Sequence, residues 1–316
     1  MSILMIFIDG LGVGPDNPEI NSLLEAELPF IRNVLHGTLD QTTVGNGITG
    51  VNILVKAIDA RLGVPGLPQS ATGQTALFTG INAAQVTGRH INGFPTKALR
   101  EVLESNSIFK QINHAGQRGV FANTFTKEYF ETARRGRYRY SASTIAALAG
   151  GCRLLTVEDL NRGYSVFQDL TNEQLRQRNY QVPLITPETA AVNLVRQAKQ
   201  NDFTLFEYFQ TDRCGHAQDW ESALILLNRL DRLVATVVAE MPPDFSLAIT
   251  SDHGNIEDLS VKTHTLNPAP LMVFGPGAEA FEKVDSLVGV CPTILNLLGI
   301  TATDLSDRKP DNNFIR

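Results

Sequence analysis

Asp252-His253-Gly254 sets an oxygen ligand beside a nitrogen ligand on a turn whose glycine relaxes the backbone, so the two side chains can grip one ion. Asp212 and His216 stand four apart, which brings both to one face of a helical segment with about 5–6 Å between Cβ atoms. His264, in a proline-bounded loop, adds a third imidazole. Asp9 closes an apolar run; taken alone, an Asp after a strand is more often a turn former or a helix cap. Each histidine taken singly serves equally well as a hydrogen-bonded core or surface group. Together, three carboxylates and three imidazoles form an O/N donor set suited to Zn²⁺ or Mn²⁺, less to Ca²⁺ and not to iron–sulfur chemistry. Cys214, between Asp212 and His216, reads as either a thiolate ligand or, more in keeping with free cysteines, a small buried apolar residue. Ser70 follows a proline-rich turn and opens a short helix, where backbone N–H groups and the helix dipole favour an anion. It is the candidate nucleophile. An ordinary N-cap is the competing reading, and Thr72 is the rival for both roles.

The elements that must carry these residues alternate between strand and helix. Ile3 to Ile8 reads as a buried parallel strand ending at Asp9, and Asn21 to Leu35 as a helix. A Gly- and Thr-rich stretch and the loop Gly63 to Pro68 deliver Ser70, followed by a helix over Thr72 to Thr79 that Gly80 stops. Lys97 to Ala115 reads as helix, Gly119 to Ala122 as strand, Thr186 to Lys199 as helix and Phe203 to Phe209 as strand. A long helix over Trp220 to Met241, strands at Ser246 to Thr250 and Leu271 to Phe274, and a helix over Leu287 to Leu298 complete the series. The pattern predicts an α/β fold with a mostly parallel central sheet and helices on both faces, whose ligands gather beyond the strand carboxyl ends. Asp9, Asp212 and Asp252 all fall just after predicted strands. Between about Thr126 and Pro183 the apolar period weakens, which places a small cap insertion at 126–185 between core segments 1–125 and 186–316.

Hydrophobic residues make up 43% of the 316 and charged residues 19%, a composition suited to a globular interior. The formal net charge of −6 argues against broad nucleic-acid binding, which needs clustered positive charge. An acidic chain that handles phosphates needs local cations, and bound metal ions supply them. Cys152, Cys214 and Cys291 are too few and too widely spaced for a disulfide framework or a paired-cysteine metal site, so a reducing cytoplasm is the simpler home. The apolar start is too short for a signal sequence, and no later run has the ~18 apolar residues of a membrane span, so a soluble protein is expected.

Five segments taken in order resemble the alkaline phosphatase superfamily of metalloenzymes, and within it the branch of cofactor-independent phosphoglycerate mutase and phosphopentomutase. FIDG resembles the first metal-binding strand end, LPQSATGQ the nucleophile loop and TDRCGH the D-x-x-x-H pair. SDHGN resembles the paired ligands and THTLNPAP the last-histidine loop; besides these five, CPTILNLLGI looks like the helix that commonly follows near the end of this fold. The resemblance implies an alkaline phosphatase-like core with two divalent cations, one held by Asp212, His216 and His264, the other by Asp9, Ser70, Asp252 and His253. Ser70 is then both ligand and nucleophile, because a cation lowers the pKa of a bound oxygen nucleophile. The implied reaction is attack on a small phosphorylated substrate, a phosphoserine intermediate, and its transfer to water or another hydroxyl.

A mutase must hold its intermediate away from water under a closing cap. The insertion is much shorter than the second domain of phosphoglycerate mutases, and SATGQ stands where those enzymes have an S-E-V-G-H pattern. Hydrolysis of a phosphomonoester or phosphodiester is therefore the expected activity, with a mutase as runner-up and a catalytically silent metal-binding protein as the alternative of another class. Arg134, Arg135, Arg137 and Arg139 offer a clamp for a substrate phosphate or carboxylate, or form a solvated basic turn. His90, beyond the nucleophile helix, reads equally as substrate contact or structural group.

Overall fold

Seven residues near the amino terminus, Ser2–Ile8 (β1), lie at the heart of the sheet and are buried from Ile3 onward. The other strands are β2 (Ile48–Gly50), β3 (Ile53–Ile58), β4 (Gly119–Phe121), β5 (Thr124–Phe125), β6 (Leu155–Thr156), β7 (Phe203–Tyr208), β8 (Phe245–Thr250) and β9 (Ala269–Phe274). The computed structural model describes residues 1–45, 47–134 and 139–301, Arg134 by its backbone alone. The main sheet runs β2-β3-β9-β8-β1-β7-β4, and β5 pairs with β6 apart from it.

β1 pairs parallel to both β7 and β8, and β4 pairs parallel to β7. This half matches the parallel sheet expected from the sequence, and its strands are continuous apolar runs because helices cover both faces. The other half departs from it: β9 runs antiparallel to β8 and β3, and β3 antiparallel to β2. The stretch before Gly63, to which the sequence pattern assigned no element, holds two strands. The sheet as a whole is mixed.

Pleating sends alternate residues of β1 into opposite layers. Ile3, Met5 and Phe7 join a core with the helices Ser70–Thr79, Lys97–Asn106, Ile108–His114, Ala142–Ala149 and Val290–Leu297. Leu4, Ile6 and Ile8 join the opposite core with Pro29–Leu35, Pro187–Ala198 and Trp220–Glu240. Phe7 meets Phe78 edge-on at 5.5 Å between ring centroids, docking the Ser70–Thr79 helix on the first face.

Two helices expected as single units are broken. The span 21–35 divides into Ser22–Glu25 and Pro29–Leu35, where Pro29 opens the second helix at a position that needs no N–H. The span 97–115 divides at Ser107, whose hydroxyl accepts from Lys110 N and so caps Ile108–His114. Within 126–185 lie the helices Lys127–Arg134, Ala142–Ala149, Val157–Asn161 and Glu173–Gln177. Val157, Leu160, Phe167, Leu175 and Val182 form a small apolar cluster of their own, whereas Ala142, Ile145, Ala146 and Ala147 belong to the main core. Among the described residues no helix is long and apolar enough to cross a membrane.

Candidate metal centre

The parallel strands deliver their carboxyl ends to one edge. Asp9 follows β1, with its N–H bonded to the Tyr208 carbonyl at 2.9 Å. After β7 the chain enters the helix Gln210–Ala217, so Asp212 and His216 fall one turn apart, with His216 Nε2 3.4 Å from Asp212 Oδ2. After β8 the turn Asp252-His253 is completely buried. His264 arrives from the following loop, its ring stacked on His253 with centroids 3.6 Å apart.

Ser70 sits at the first position of its helix, and Gln69 occupies the N-cap without a side-chain bond. The Ser70 hydroxyl is therefore not spent on capping, and it lies 2.9 Å from His253 Nε2. Thr72 is wholly buried and donates to the Gln69 carbonyl, which removes it as a rival nucleophile. The helix can approach the Asp252 turn only because residue 73 lacks a side chain: a Cβ there would lie 2.9 Å from the Asp252 carbonyl oxygen.

Five of the seven residues singled out as ligands gather in two overlapping groups. One contains Asp9, Asp252 and His253, and the other Asp212, His253 and His264, each with potential ligand atoms within 4.8 Å of one another. His216 joins the second group, its Nε2 3.2 Å from that of His264.

Hydrogen bonding fixes which nitrogens face the centre. His264 Nδ1 lies 2.8 Å from the Pro68 carbonyl, and His216 Nδ1 2.7 Å from the Lys262 carbonyl. A carbonyl only accepts, so both Nδ1 atoms carry protons and, in the neutral rings, both Nε2 lone pairs point inward. They converge on Asp212, whose Oδ1 lies 3.4 Å from His264 Nε2. Asp9 Oδ1 is buried without a hydrogen-bond partner. Among the described residues no Lys or Arg pairs with Asp9, Asp212 or Asp252. Converging imidazole lone pairs, carboxylates without a basic partner and an unpartnered Asp9 Oδ1 are what a cation satisfies, so the residues fit a divalent metal.

The same crowding appears in the acid–base properties. Burial, reinforced by Asp252 and then Asp212, raises Asp9 well above the ordinary carboxylate range. Burial and the Asp212 charge push Asp252 up to about 7. Burial also opposes ionisation of Asp212, but the His264 hydrogen bond and the nearby imidazoles outweigh it and hold the group at about 2. Burial and the neighbouring His264 lower His253 to about 3, leaving a neutral ring.

Three supporting residues escaped the sequence analysis. Gln74, one helical turn after Ser70, donates to Asp9 Oδ2 and Asp252 Oδ2, each at 3.1 Å. Glu207, at the end of β7, is pushed up to about 7 by burial and accepts from the Ser143 hydroxyl at 2.6 Å. Glu257, completely buried, accepts from Gly12 N, Asn255 N, Thr265 Oγ1 and Asn267 Nδ2 and so ties together the loops that carry Asp9, Asp252 and His264. Its place in SDHGNIED, beside two ligands, was the available signal.

A cavity of about 530 Å³ opens beside the cluster, with Asp9, Ser70, Gln74 and Asp212 among its lining residues. His90 does not line it: its Nε2 lies 3.2 Å from the Val64 carbonyl, while Asn92, Gly93 and Phe94 reach the cavity instead. Arg139 is exposed and also absent from the lining. The side chain of Arg134, together with Arg135 and Arg137, lies outside the described residues. Arg178 and Arg213 supply the cavity's positive charge. Cys214 is a buried thiol, raised to about 11 by burial, and donates to the Asp219 carbonyl.

An α/β sheet with carboxylates and imidazoles clustered at its parallel strand ends defines an alkaline phosphatase-like core. Solved structures agree on that fold: PH0037 protein from Pyrococcus horikoshii (TM-score 0.56, 15% identity, 98% of each chain covered) and Thermus thermophilus alkaline phosphatase (TM-score 0.55, 12% identity, 95% of this chain and 91% of that one). Residues 180–302 match the family model described as Metalloenzyme superfamily. Among curated proteins, the 2,3-bisphosphoglycerate-independent phosphoglycerate mutase of Mycoplasmoides gallisepticum is 28% identical over 40% of this chain and 27% of its own length. That of Desulforudis audaxviator is 31% identical over 31% of this chain and 21% of its own. The matched part thus spans about a quarter of these relatives. The chain thus has the alkaline phosphatase fold, and its residues 180–302 resemble the Metalloenzyme superfamily, a match that implies divalent metal cofactors.

Proposed function

We propose that the chain transfers phosphoryl groups through a phosphoserine at Ser70 and that its principal reaction is hydrolysis of a small phosphomonoester or phosphodiester. The observation that carries this reading is the uncapped Ser70 hydroxyl on the cavity wall, 2.9 Å from His253 Nε2 and at the start of a ten-residue helix. Asp212, His216 and His264 would hold one Mn²⁺ or Zn²⁺ ion, and Asp9, Ser70, Asp252 and His253 a second. Such cations lower the pKa of the serine hydroxyl and neutralise charge that develops on the phosphate.

The protein's own part is positional. His216 and His264 are locked by carbonyl groups, Asp212 by Asn255 Nδ2 at 2.7 Å, and Asp9 and Asp252 by Gln74. The seryl oxygen attacks phosphorus as the ester oxygen departs as the alcohol, taking up a proton, and a phosphoserine remains at the start of the helix. Water then attacks phosphorus, restoring Ser70 and releasing phosphate. Of the segment 126–185, the part with its own apolar cluster, Val157 to Val182, would serve as a small cap over the core. The acidic chain is expected to work in the cytoplasm on small molecules, without nucleic-acid or membrane partners.

The curated relatives favour a second reading, a mutase that returns the phosphoryl group to another hydroxyl of the same molecule. Product analysis with metal-loaded protein separates the two. Phosphate release without isomer supports hydrolysis, isomer without phosphate supports the mutase, and neither product would sink both.

A further inference from the structure

We infer that the ester's organic group is a flat, ring-bearing one rather than a short hydroxylated chain; this rests on the phosphoryl-transfer reading of the same site. Ser70, Asp9 and Asp212 line the cavity, and the phosphate must sit beside them. The same lining includes Phe94, Phe125, Tyr129, Phe167 and Phe209. At about 530 Å³ the cavity falls in the ~300–1,000 Å³ range of pockets that enclose drug-sized ligands, far more room than a three-carbon phosphate needs.

Polar side chains also line this space, yet most are committed to the protein itself. Asn123 exchanges two hydrogen bonds with the Glu207 backbone, and Thr124 pairs with Ser165 at 2.7 Å. Ser141 and Thr144 bond each other at 2.9 Å, and Gln168 donates to Gln174. A chain of hydroxyls entering here would lose water and meet few free partners, which is costly. Phe125 and Tyr129 pack ring on ring with centroids 4.7 Å apart and line the cavity as a pair, a contact that an added ligand ring extends. Phe94 is 45% exposed, an apolar ring left in solvent at the cavity that a flat ligand ring would cover. Exposed Arg178 and Arg213 add positive charge that suits an anionic ester.

The test compares benzyl phosphate with glycerol 3-phosphate, whose leaving groups are both alkyl alcohols, so that a preference reports binding of the ring and not leaving-group chemistry. With Mn²⁺-loaded full-length protein, kcat/KM for benzyl phosphate should be roughly tenfold or more the higher, the effect of burying one ring. Phe94→Ala should narrow that ratio several-fold. In parallel, calorimetry on metal-loaded Ser70→Ala protein should show benzylphosphonate binding more tightly than ethylphosphonate. Turnover with equal or better use of glycerol 3-phosphate overturns the substrate class and leaves the phosphoryl-transfer reading standing. Tighter benzylphosphonate binding without turnover of either ester sustains the ring preference and overturns the chemistry. Equal or absent binding of the two phosphonates overturns the ring preference.

Discussion

Replacing Glu257 by Gln removes the one carboxylate that joins three ligand-bearing loops without facing the proposed cations. Its Oε2 accepts from Gly12 N at 2.9 Å and Asn255 N at 2.7 Å; its Oε1 accepts from Thr265 Oγ1 at 2.5 Å and Asn267 Nδ2 at 3.0 Å. Glutamine keeps one acceptor oxygen and turns an NH₂ group toward two donors. At about 1.5–3 kcal/mol per hydrogen bond to a charged group, losing two costs roughly 3–6 kcal/mol. An unfolding entropy of about 2.1 cal/mol/K per residue gives this 316-residue chain ~0.7 kcal/mol/K, so its melting temperature should fall by about 5–9 °C. Groups that orient metal ligands typically contribute ~10–100-fold to metal affinity, and Mn²⁺ binding should weaken by a similar factor. Differential scanning calorimetry of the metal-free protein and isothermal titration with Mn²⁺ measure the two effects separately. An unchanged melting temperature together with unchanged Mn²⁺ affinity would refute the reasoning.

Further outcomes follow from the same geometry. His216→Ala should lose one of the two proposed cations while the Asp9–Asp252–His253 group keeps the other; elemental analysis that still finds both would contradict the assignment. Gly73→Ala drives a methyl group to 2.9 Å from the Asp252 carbonyl oxygen, and such overpacking should cost about 1–3 kcal/mol by urea unfolding. In metal-free protein, Asp252 is raised to about 7, so the folded state holds a proton that the unfolded chain releases. That stabilisation is complete below the ordinary carboxylate pKa of about 3.9 and disappears as pH rises through about 7. Melting of metal-free protein should therefore drop between about pH 5 and pH 8, and saturating Mn²⁺ should flatten the drop. A rise across that interval without metal would count against the buried-carboxylate picture.

The candidate ligand residues were legible because strand ends and one-turn helical spacing are local patterns. Ile3 to Ile8 announced a buried strand, and Asp212 with His216 announced a shared face, before any packing was known. Strand direction was less legible, because it depends on pairing between distant segments. β3 and β9 meet antiparallel across more than two hundred positions, a relation that no local period encodes. The hairpin of β2 and β3 went unread for another reason: β2 is only three residues in a Gly- and Thr-rich stretch, and without it the apolar run of β3 had no evident partner. Helix breaks at Pro29 and Ser107 were written in residue type, but continuing apolar periodicity masked them. Residues that act through hydrogen bonds, such as Gln74 and Glu257, carry no spacing signal of their own. His90 illustrates the converse, since proximity to Ser70 along the chain did not place its ring in the cavity.

Acid-quenched peptide mapping by mass spectrometry, after brief incubation of Mn²⁺- or Zn²⁺-loaded protein with a turned-over phosphate ester, tests the central claim most directly. The account predicts phosphate on Ser70, absent from Ser70→Ala protein and from protein stripped of metal. Steady turnover with Ser70 unmodified in every quenched sample, or phosphate carried by Thr72 instead, would contradict it.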